Sequence, residues 1–326
     1  MSHNAVNTGW NQDSNPKLQG RIRTELADNA IDTVLVVGSG WVGRQIAMQT
    51  ASHGCRTYLF DRLPTATEQA LRWSFEQTER LVARGVWNAG HQANINRLLS
   101  PALRVDDPKI QPDLVIECVP EQASLKKRLL KELSETFEPA VILASNSSYF
   151  TPSMFQASLA HPERFVHYHF HVPVFLSSAV DIMPWEGTSP QVVERLLNLS
   201  EQIGQKPLLC RKEHPGYVFN WLLQALIRSA LELANKGVAT PEEIDQRWMD
   251  LSGMKKGPFW IMDQIGLDVV QQALQNSRFT QPTPAEPLIT FLEKWVVDGQ
   301  LGQKSGGGFY SYPTQLLDWE TTLHGK

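Results

Sequence analysis

Three histidines, His167, His169 and His171, stand at alternate positions in the stretch RFVHYHFHVPV, which runs from Arg164 to Val174. If these residues form a β-strand, the three side chains point to the same face of the sheet. Such a set could bind a metal ion, could include one catalytic base, or could pack and form hydrogen bonds on the strand face. The stretch alone does not distinguish these possibilities, so the decision depends on what surrounds it.

A glycine pattern nearer the N-terminus predicts a dinucleotide site. The segment VLVVGSGWVGRQIA has the spacing G-x-G-x-x-G, after a predicted strand and at the start of a predicted helix. Gly38 permits the tight turn, Gly40 lets the backbone approach a pyrophosphate, and Gly43 lets the helix pack closely on the strand. The pyrophosphate would lie at the helix N-terminus, where free N–H groups favour an anion. The predicted contacts of this loop are Gly38, Gly40, Trp41, Val42 and Gly43.

Asp61 ends the second predicted strand, RTYLFD, and is placed to accept hydrogen bonds from the ribose hydroxyls of NAD. Its negative charge would repel the 2′-phosphate of NADP, although the neighbouring Arg62 softens that preference. We therefore predict NAD as the cofactor, with Asp61 and Arg62 among its contacts.

Short apolar runs that alternate with helical patterns position these residues. The runs TVLVVGSG, RTYLFD, DLVIECV, AVILASN and RFVHYHF predict strands buried on both faces, as in a parallel sheet between layers of helices. The segment between Asp61 and Asp113 is too long for an ordinary crossover, and Leu71, Phe75 and Leu81 recur in it at helical spacing. We predict an α/β fold: a Rossmann-type, doubly wound parallel sheet with a helical hairpin insertion.

The pattern changes after residue 213. Pro215 and Gly216 open the segment GYVFNWLLQALIRSALELANKG, which is apolar on nearly all sides and predicts a helix buried in a helical domain or in a subunit interface. The segments PEEIDQRWMDLSG, GPFWIMDQIGLDVVQQALQ and PAEPLITFLEKWVVDG also predict helices. We therefore expect a polar N-terminal tail at residues 1–28, an NAD-binding domain at residues 29–213 and an all-α domain at residues 214–326.

Composition argues against several classes of function. The chain of 326 residues has a net charge of −4 and no basic blocks, so we expect no nucleic-acid binding. Apolar runs fall short of the ~20 residues that span a bilayer, and the N-terminus lacks the apolar core of a signal peptide. Cys55, Cys118 and Cys210 are widely spaced and form no CxxC pair, which favours reduced thiols in a cytoplasmic protein.

Several stretches, taken in order, resemble those of the L-3-hydroxyacyl-CoA dehydrogenase family. They run from about Val34 to Tyr312 and comprise VVGSGWVG, DLVIECVPEQASLKKRLLKELS, ILASNSS, RFVHYHF, HPGYVFNWLL, GPFWIMDQIGLD and LGQKSGGGFYSY. The resemblance implies a Rossmann domain that binds NAD, followed by a helical domain that forms a homodimer and closes over the acyl chain. Hydride transfer to NAD needs no metal, so we expect none at the histidines.

The resemblance also assigns roles. The family's catalytic histidine falls on His169, and its orienting acid falls on Asp181, where the family usually has glutamate. Its substrate-contacting serine and asparagine fall on Ser148 and Asn220. As structural alternatives, Ser148 could simply end a strand, and Asn220 could hydrogen-bond within the helical domain.

Three further positions complete the comparison. The glutamate close to the nicotinamide falls on Glu121, and we assign Asn146 to the cofactor as well. Val172 stands where the family usually has asparagine before the proline. We interpret His167 and His171 as packing or hydrogen-bonding residues of the strand face.

The predicted function is NAD-dependent oxidation of a 3-hydroxyacyl-CoA, or the reverse reduction of the 3-ketoacyl-CoA, with His169 as the base. One alternative is a dehydrogenase of a free 3-hydroxy acid, because the chain also resembles gulonate and carnitine dehydrogenases and residues 63–108 contain no lysine. The other alternative is a non-catalytic NAD-binding protein, which the changes at Asp181 and Val172 favour.

Overall fold

The computed structural model describes residues 30–276 and 285–312. The predicted polar tail, residues 1–28, lies outside the described residues. By its internal contacts the chain divides into two compact units, Met1–Tyr217 and Val218–Lys326. The boundary that we placed after residue 213 stays a prediction.

An eight-stranded sheet forms the first unit, in the order β3-β2-β1-β4-β5-β6-β7-β8. The strands are β1 Thr33–Val37, β2 Arg56–Phe60, β3 Leu99–Pro101, β4 Leu114–Glu117, β5 Ile142–Ser145, β6 Phe165–Phe170, β7 Ala179–Pro184 and β8 Lys206–Leu209. The five strands expected from apolar runs are all present. The short edge strand β3 was not predicted, because its three residues form no apolar run.

One strand pair departs from the parallel arrangement. Strands β6 and β7 are antiparallel, whereas every other pair in the sheet is parallel. The physical reason is the length of the connection. Residues 171–178 are too few for the crossover of a dozen or more residues that a parallel neighbour requires. The chain therefore turns back on itself directly after the histidines.

The helices of the first unit are α1 Trp41–Ser52, α2 Pro64–Ala83, α3 Ala89–Leu98, α4 Ala123–Thr136, α5 Ser153–Gln156 and α6 Pro190–Gln202. Helices α2 and α3 form the predicted hairpin insertion. The buried stripe of α2 differs from the predicted one: Ala70, Ser74 and Leu81 are buried, whereas Leu71 and Phe75 are half-buried. Small side chains on the buried face let α2 approach its neighbours closely.

A large part of the core of the first unit lies against one face of the sheet. Leu35, Val115, Leu143 and Phe165 come from four different strands and form one buried cluster with α4 residues such as Leu133. Burial of each such side chain stabilises the fold by about 1.5–3 kcal/mol. The carboxyl ends of β1 to β6 thereby lie at one edge of the sheet, and those of β7 and β8 lie at the other.

The second unit is helical, as predicted. Its helices are α7 Tyr217–Asn235, α8 Pro241–Ser252, α9 Pro258–Ile265, α10 Leu267–Asn276 and α11 Glu286–Val297, the first of which begins at the last residue of the first unit. The segment expected as one helix from Gly257 is split into α9 and α10 at Gly266, whose φ of 103° is incompatible with a continuous helix. Among the described residues, none of the helices combines the length and the apolar character that crossing a membrane requires.

Candidate active site

The antiparallel pairing of β6 with β7 builds the centre of the site. The Cα atoms of His169 and Asp181 are direct partners in this register, so both side chains leave the sheet on the same face. Both residues are almost fully buried, at 5% and 4% exposure. The predicted base and its predicted orienting acid are therefore brought together by the sheet itself.

His169 makes one contact with each ring nitrogen. Its Nδ1 lies 3.3 Å from Asp181 Oδ2, and its Nε2 lies 3.2 Å from Ser148 Oγ. A carboxylate oxygen only accepts, so Nδ1 donates the proton and the neutral ring keeps its lone pair on Nε2. Burial lowers the pKa of His169 and outweighs the hydrogen bond to Asp181, which raises it. The imidazole is therefore neutral at neutral pH and has the tautomer that a general base needs.

Asp181 also holds a second imidazole. His171 Nε2 lies 2.8 Å from the same Oδ2 that contacts His169, and the two rings meet edge to face at 4.8 Å. Burial alone would raise the pKa of Asp181, but the hydrogen bonds from both histidines outweigh burial and lower it. His171 is thus a hydrogen-bonding residue, as interpreted from the sequence, but its partner is the acid that also contacts His169.

His167 is separate from this group. It is completely buried, with its ring packed near those of Phe155 and Phe165, and burial holds its pKa well below the usual histidine range. It belongs to the core, in agreement with its interpretation as a packing residue.

Tyr217 covers the base from one side, and sequence reasoning missed it. Its ring stacks on the His169 imidazole at 4.6 Å and 11°, and its hydroxyl donates to the Ser147 carbonyl oxygen at 2.7 Å. Its φ of 54° is left-handed, which costs about 1–2 kcal/mol for a residue with a side chain. The stacking and the hydrogen bond hold this conformation. The only signal in the sequence was an aromatic residue directly after Pro215 and Gly216.

Glu121 braces the loop that carries Ser148. Its Oε1 accepts from Ser147 Oγ at 2.6 Å, from the Ser148 N–H at 3.1 Å and from the Tyr149 N–H at 3.0 Å. These bonds fix the position of Ser148 relative to the base. The predicted proximity of Glu121 to the nicotinamide stays a prediction.

A buried ion pair lies beneath the same loop. Lys126 Nζ donates to both carboxylate oxygens of Glu117, at 2.7 and 2.9 Å, and lies 3.3 Å from Glu121 Oε2. Neither side chain of the Lys126–Glu117 pair is more than 1% exposed. Sequence reasoning missed this pair, although Glu117 lies within the predicted strand DLVIECV and Lys126 follows within the next helix.

The glycine loop fits a dinucleotide. A Cβ on Gly43 would collide with the Gly38 carbonyl oxygen, and a Cβ on Gly38, whose φ is 109°, would lie 2.7 Å from the Cys118 carbonyl oxygen. At Gly40, in contrast, a Cβ would meet no atom within 4 Å, so this part of the loop is open to a ligand. Trp41 and Val42 are the first two residues of α1, where free N–H groups favour an anion.

Asp61 is held at the end of β2 by the same loop. Its Oδ2 accepts from the Ser39 N–H and hydroxyl at 2.9 and 3.0 Å, and its Oδ1 accepts from the Leu63 N–H. Burial raises its pKa, but these hydrogen bonds outweigh burial and lower it, so Asp61 is ionised at neutral pH. Arg62 is exposed beside it.

The two remaining predicted residues are placed as follows. Asn146 Oδ1 accepts from the Phe170 N–H at 2.8 Å and so ties the end of β5 to the end of β6. Asn220 lies half-buried on α7, in the second unit. Their assigned contacts with cofactor and substrate stay predictions.

Family models match both parts of the chain. The model described as "3-hydroxyacyl-CoA dehydrogenase, NAD binding domain" matches residues 33–214, and the model described as "3-hydroxyacyl-CoA dehydrogenase, C-terminal domain" matches residues 216–312. Together they cover the sheet, the glycine loop, the histidines and the helical unit.

Individual proteins are similar over most of the chain. It is 37% identical over 295 residues to an L-carnitine dehydrogenase of Pseudomonas sp, covering 83% of this chain and 85% of that protein. It is 31% identical over 287 residues to the 3-hydroxyadipyl-CoA dehydrogenase of Escherichia coli (strain K12), covering 86% of this chain but only 59% of that longer protein. The crystal structure of (S)-3-hydroxybutyryl-CoA dehydrogenase from Ralstonia eutropha has a TM-score of 0.78 and 30% identity, with 87% of this chain and all of that chain covered.

The buried pair yields a prediction about stability. Lys126→Met should lower the free energy of unfolding by about 3–5 kcal/mol, because it leaves the Glu117 carboxylate buried without its counter-charge. The matched control is Lys127→Met, since Lys127 is the exposed neighbour on the same helix. Urea unfolding followed by tryptophan fluorescence measures both. Equal free energies of unfolding for the two variants would contradict the prediction that the buried Glu117 carboxylate requires the charge of Lys126.

Proposed function

We propose a base and a substrate class for this chain, which belongs to the 3-hydroxyacyl-CoA dehydrogenase family and is an NAD-dependent oxidoreductase. The reaction is oxidation of the carbon-3 alcohol of a 3-hydroxyacyl-CoA, and in reverse the reduction of the 3-ketoacyl-CoA. Since the family consists of dehydrogenases, the non-catalytic alternative is set aside.

The observation that carries the proposal is the pairing of His169 with Asp181. Alcohol oxidation requires a base that takes the hydroxyl proton as hydride leaves the carbon. His169 Nε2 is the basic atom of the ring, because the other ring nitrogen, Nδ1, donates to Asp181 Oδ2. Once the proton is on Nε2, the ring is an imidazolium, and the Asp181 carboxylate stabilises its positive charge. Bound NAD supplies the hydride acceptor.

Other residues orient the reacting groups. Ser148 Oγ, 3.2 Å from Nε2, is positioned to hydrogen-bond the same substrate oxygen that faces the base. Tyr217 stacks on the imidazole and restricts its rotation. Burial of the dyad excludes water, which strengthens the interaction between the carboxylate and the charged ring. In this proposal Asn220 contributes the second hydrogen bond to substrate.

The proposed substrate is a CoA thioester. Support comes from the similar hydroxybutyryl-CoA and hydroxyadipyl-CoA dehydrogenases. The helical hairpin offers a platform for the 3′-phospho-ADP group, where Arg72, Arg80 and Arg84 are exposed. The guanidinium fork matches phosphate geometry, so arginine can replace lysine in this role. The second candidate is a free 3-hydroxy acid, which the 37% identity to L-carnitine dehydrogenase and the absence of lysine from residues 63–108 favour.

We further propose a homodimer that forms through the second unit. Apolar side chains on α7 and α8 and between them are unusually exposed in the single chain: Leu251 at 79%, Val238 at 65% and Leu222 at 62%. They surround a groove lined by further apolar residues, including Leu226 and Trp248. A second copy would cover this surface.

A cytoplasmic location is proposed from the three cysteines. Cys55, Cys118 and Cys210 are free thiols. Burial raises the pKa of each, to about 12 for Cys55 and about 11 for Cys210, so the thiols stay protonated and unreactive at neutral pH. Reduced thiols of this kind are typical of cytoplasmic proteins.

The first prediction in this section concerns cofactor choice. The chain should bind NAD at least roughly tenfold more tightly than NADP, because the ionised Asp61 would face the 2′-phosphate. Asp61→Ser should remove most of this preference, whereas Asp107→Ser, which changes another aspartate of the same unit, should not. Titration of both nucleotides by tryptophan fluorescence measures the affinities. Tighter binding of NADP to the unaltered protein would contradict the role of Asp61.

The second prediction concerns the base. His169→Ala should lower kcat by about 10²–10⁴-fold while the NAD affinity is unchanged, because a positioned base acts only on the chemical step. Since burial lowers the pKa of His169, the base form persists into acid, and the rate should fall only below the usual histidine pKa of about 6.5. Initial rates of NADH formation over a pH series measure both effects.

His161, whose side chain is 41% exposed, provides the matched control for this prediction. His161→Ala should leave both kcat and its pH dependence unchanged. A His169→Ala variant that retains the full rate would overturn the assignment of the base.

The third prediction concerns the substrate. The CoA thioester should be used at least roughly tenfold better by kcat/KM than the free hydroxy acid, because remote binding energy holds carbon 3 in place. Replacing Arg72, Arg80 and Arg84 by alanine should weaken use of the thioester and spare the free acid. Arg104→Ala is the control, because Arg104 follows helix α3 and already pairs with Asp106. Equal efficiency on both substrates would instead support the free-acid candidate.

The fourth prediction concerns assembly. Leu251→Glu should convert a dimer into a monomer, because it places a charge in the proposed apolar interface. Leu103→Glu is the matched control, since Leu103 is equally exposed, at 82%, but lies in the first unit. Light scattering after gel filtration measures the mass. A monomeric unaltered protein, or a dimer that survives Leu251→Glu, would contradict the proposed interface.

A further inference from the structure

The group around Asp181 has the composition of a metal site. His169, His171 and Asp181 each offer one ligand atom, and these atoms all lie within 4.8 Å of one another. Two imidazoles and one carboxylate form a nitrogen and oxygen set that suits zinc and neighbouring divalent transition metals. The proposed reaction uses His169 and Asp181 without any metal, so a cation here would compete with catalysis.

We propose that His169, His171 and Asp181 form an inhibitory site for a divalent transition-metal cation of the zinc class. The ligand atoms are His169 Nδ1, His171 Nε2 and Asp181 Oδ2. The cation binds reversibly and stops turnover by occupying the base. Binding itself follows from the three side chains alone, whereas the inhibition rests on the proposed role of His169.

The distances from Asp181 to the two histidines are close to those of a tetrahedral zinc site, and all the ligand atoms lie within 4.8 Å of one another. Zinc bonds to nitrogen and carboxylate oxygen are about 2.0–2.1 Å, which separates two ligand atoms by about 3.3–3.4 Å. His169 Nδ1 and Asp181 Oδ2 are 3.3 Å apart, and His171 Nε2 and Oδ2 are 2.8 Å apart. The second pair needs to open by only about half an ångström, which a small side-chain rotation provides. A water molecule would complete the coordination at the side where His171 is partly exposed.

The charges also favour a cation. Metal binding requires an ionised carboxylate and neutral imidazoles. Asp181 Oδ2 accepts a hydrogen bond from each imidazole, and a divalent cation would take the place of these two donors. The Glu121 carboxylate adds a second negative charge near the same loop, where it accepts from the Ser148 N–H. A divalent cation would thus enter a partly buried group with net negative charge.

Inhibition follows from the tautomer of His169. Without metal, the Nδ1 proton is donated to Asp181 and the lone pair is on Nε2. A cation bonded to Nδ1 displaces that proton, which moves to Nε2 of the same ring, so the imidazole stays neutral. The proton of His171 likewise moves from Nε2 to Nδ1. Nε2 of His169 then carries a hydrogen and cannot take the hydroxyl proton of the substrate.

His167 is not part of the proposed metal site. It lies on the same strand, two residues before His169, but it packs among phenylalanine rings and is completely buried. The residue that completes the site is therefore His171, which follows the end of β6 and reaches back to Asp181. Replacing His171 removes one ligand while the pairing of His169 with Asp181 remains.

Direct binding tests the site on the full chain. The protein is treated with a chelator, dialysed, and titrated with zinc by calorimetry without NAD; cobalt is then added and its visible absorption recorded. We expect one zinc per chain and a cobalt spectrum of low coordination number. Loss of even an outer partner of a metal ligand costs about 10–100-fold in affinity, so His171→Phe should weaken zinc binding at least that much.

His161→Phe is the matched control, because His161 is partly exposed and pairs with Glu163 outside the site. Near-ultraviolet circular dichroism checks that each variant is folded, and His171→Gln serves as a second replacement. No stoichiometric zinc binding, or equal affinity in His171→Phe and the unaltered protein, would overturn the site.

Inhibition is measured separately, as the fraction of each protein's own rate in the absence of zinc. We expect zinc to abolish NADH formation in the unaltered protein, a chelator to restore it, and His171→Phe to resist the same zinc concentration. If zinc binding requires His171 but leaves the rate of NADH formation unchanged, the proposed inhibition is wrong and the proposed zinc site is supported. Failure of the proposed base would instead appear as full activity of His169→Ala, whatever zinc does.

Discussion

The register between β6 and β7 places the Cα atom of His169 opposite that of Asp181, and the candidate site depends on this pairing. An antiparallel pair holds opposite side chains on one face at fixed separation, so the imidazole and the carboxylate meet without a flexible loop between them. A shift of one residue in either strand would turn one of the two side chains to the other face. The apolar residues that alternate with them, such as Tyr168 and Ile182, are buried and oppose such a shift.

A single oxygen atom of Asp181, Oδ2, contacts both His169 and His171. A buried carboxylate requires hydrogen-bond donors, and here two imidazoles supply them to Oδ2. The shorter of the two contacts is made by His171, not by His169. The arrangement that stabilises the acid therefore also assembles three potential metal ligands, so the stability of the site and its proposed sensitivity to cations have the same origin.

Around this centre, polar bonds hold the ends of strands and the segments that follow them. Glu117 at the end of β4 binds Lys126, Glu121 holds the loop after β5, and Asn146 ties that loop to β6. These bonds lie where strands β4, β5 and β6 end, at the carboxyl edge of these strands. Ligands of doubly wound sheets bind at this edge, so the same bonds that satisfy buried polar groups also hold the candidate catalytic residues.

Local sequence patterns predicted a large part of the fold and of the cofactor loop. The glycine loop, Asp61 and the apolar strands could be predicted because their residues are near neighbours in sequence, and the resemblance supplied His169, Asp181 and Ser148. The tertiary structure alone decided that Asp181 also binds His171, that Lys126 neutralises Glu117 and that Tyr217 stacks on the base. These contacts depend on strand order, on the reversal after β6 and on burial, which arise only when distant segments pack together. No periodicity in a single segment encodes them.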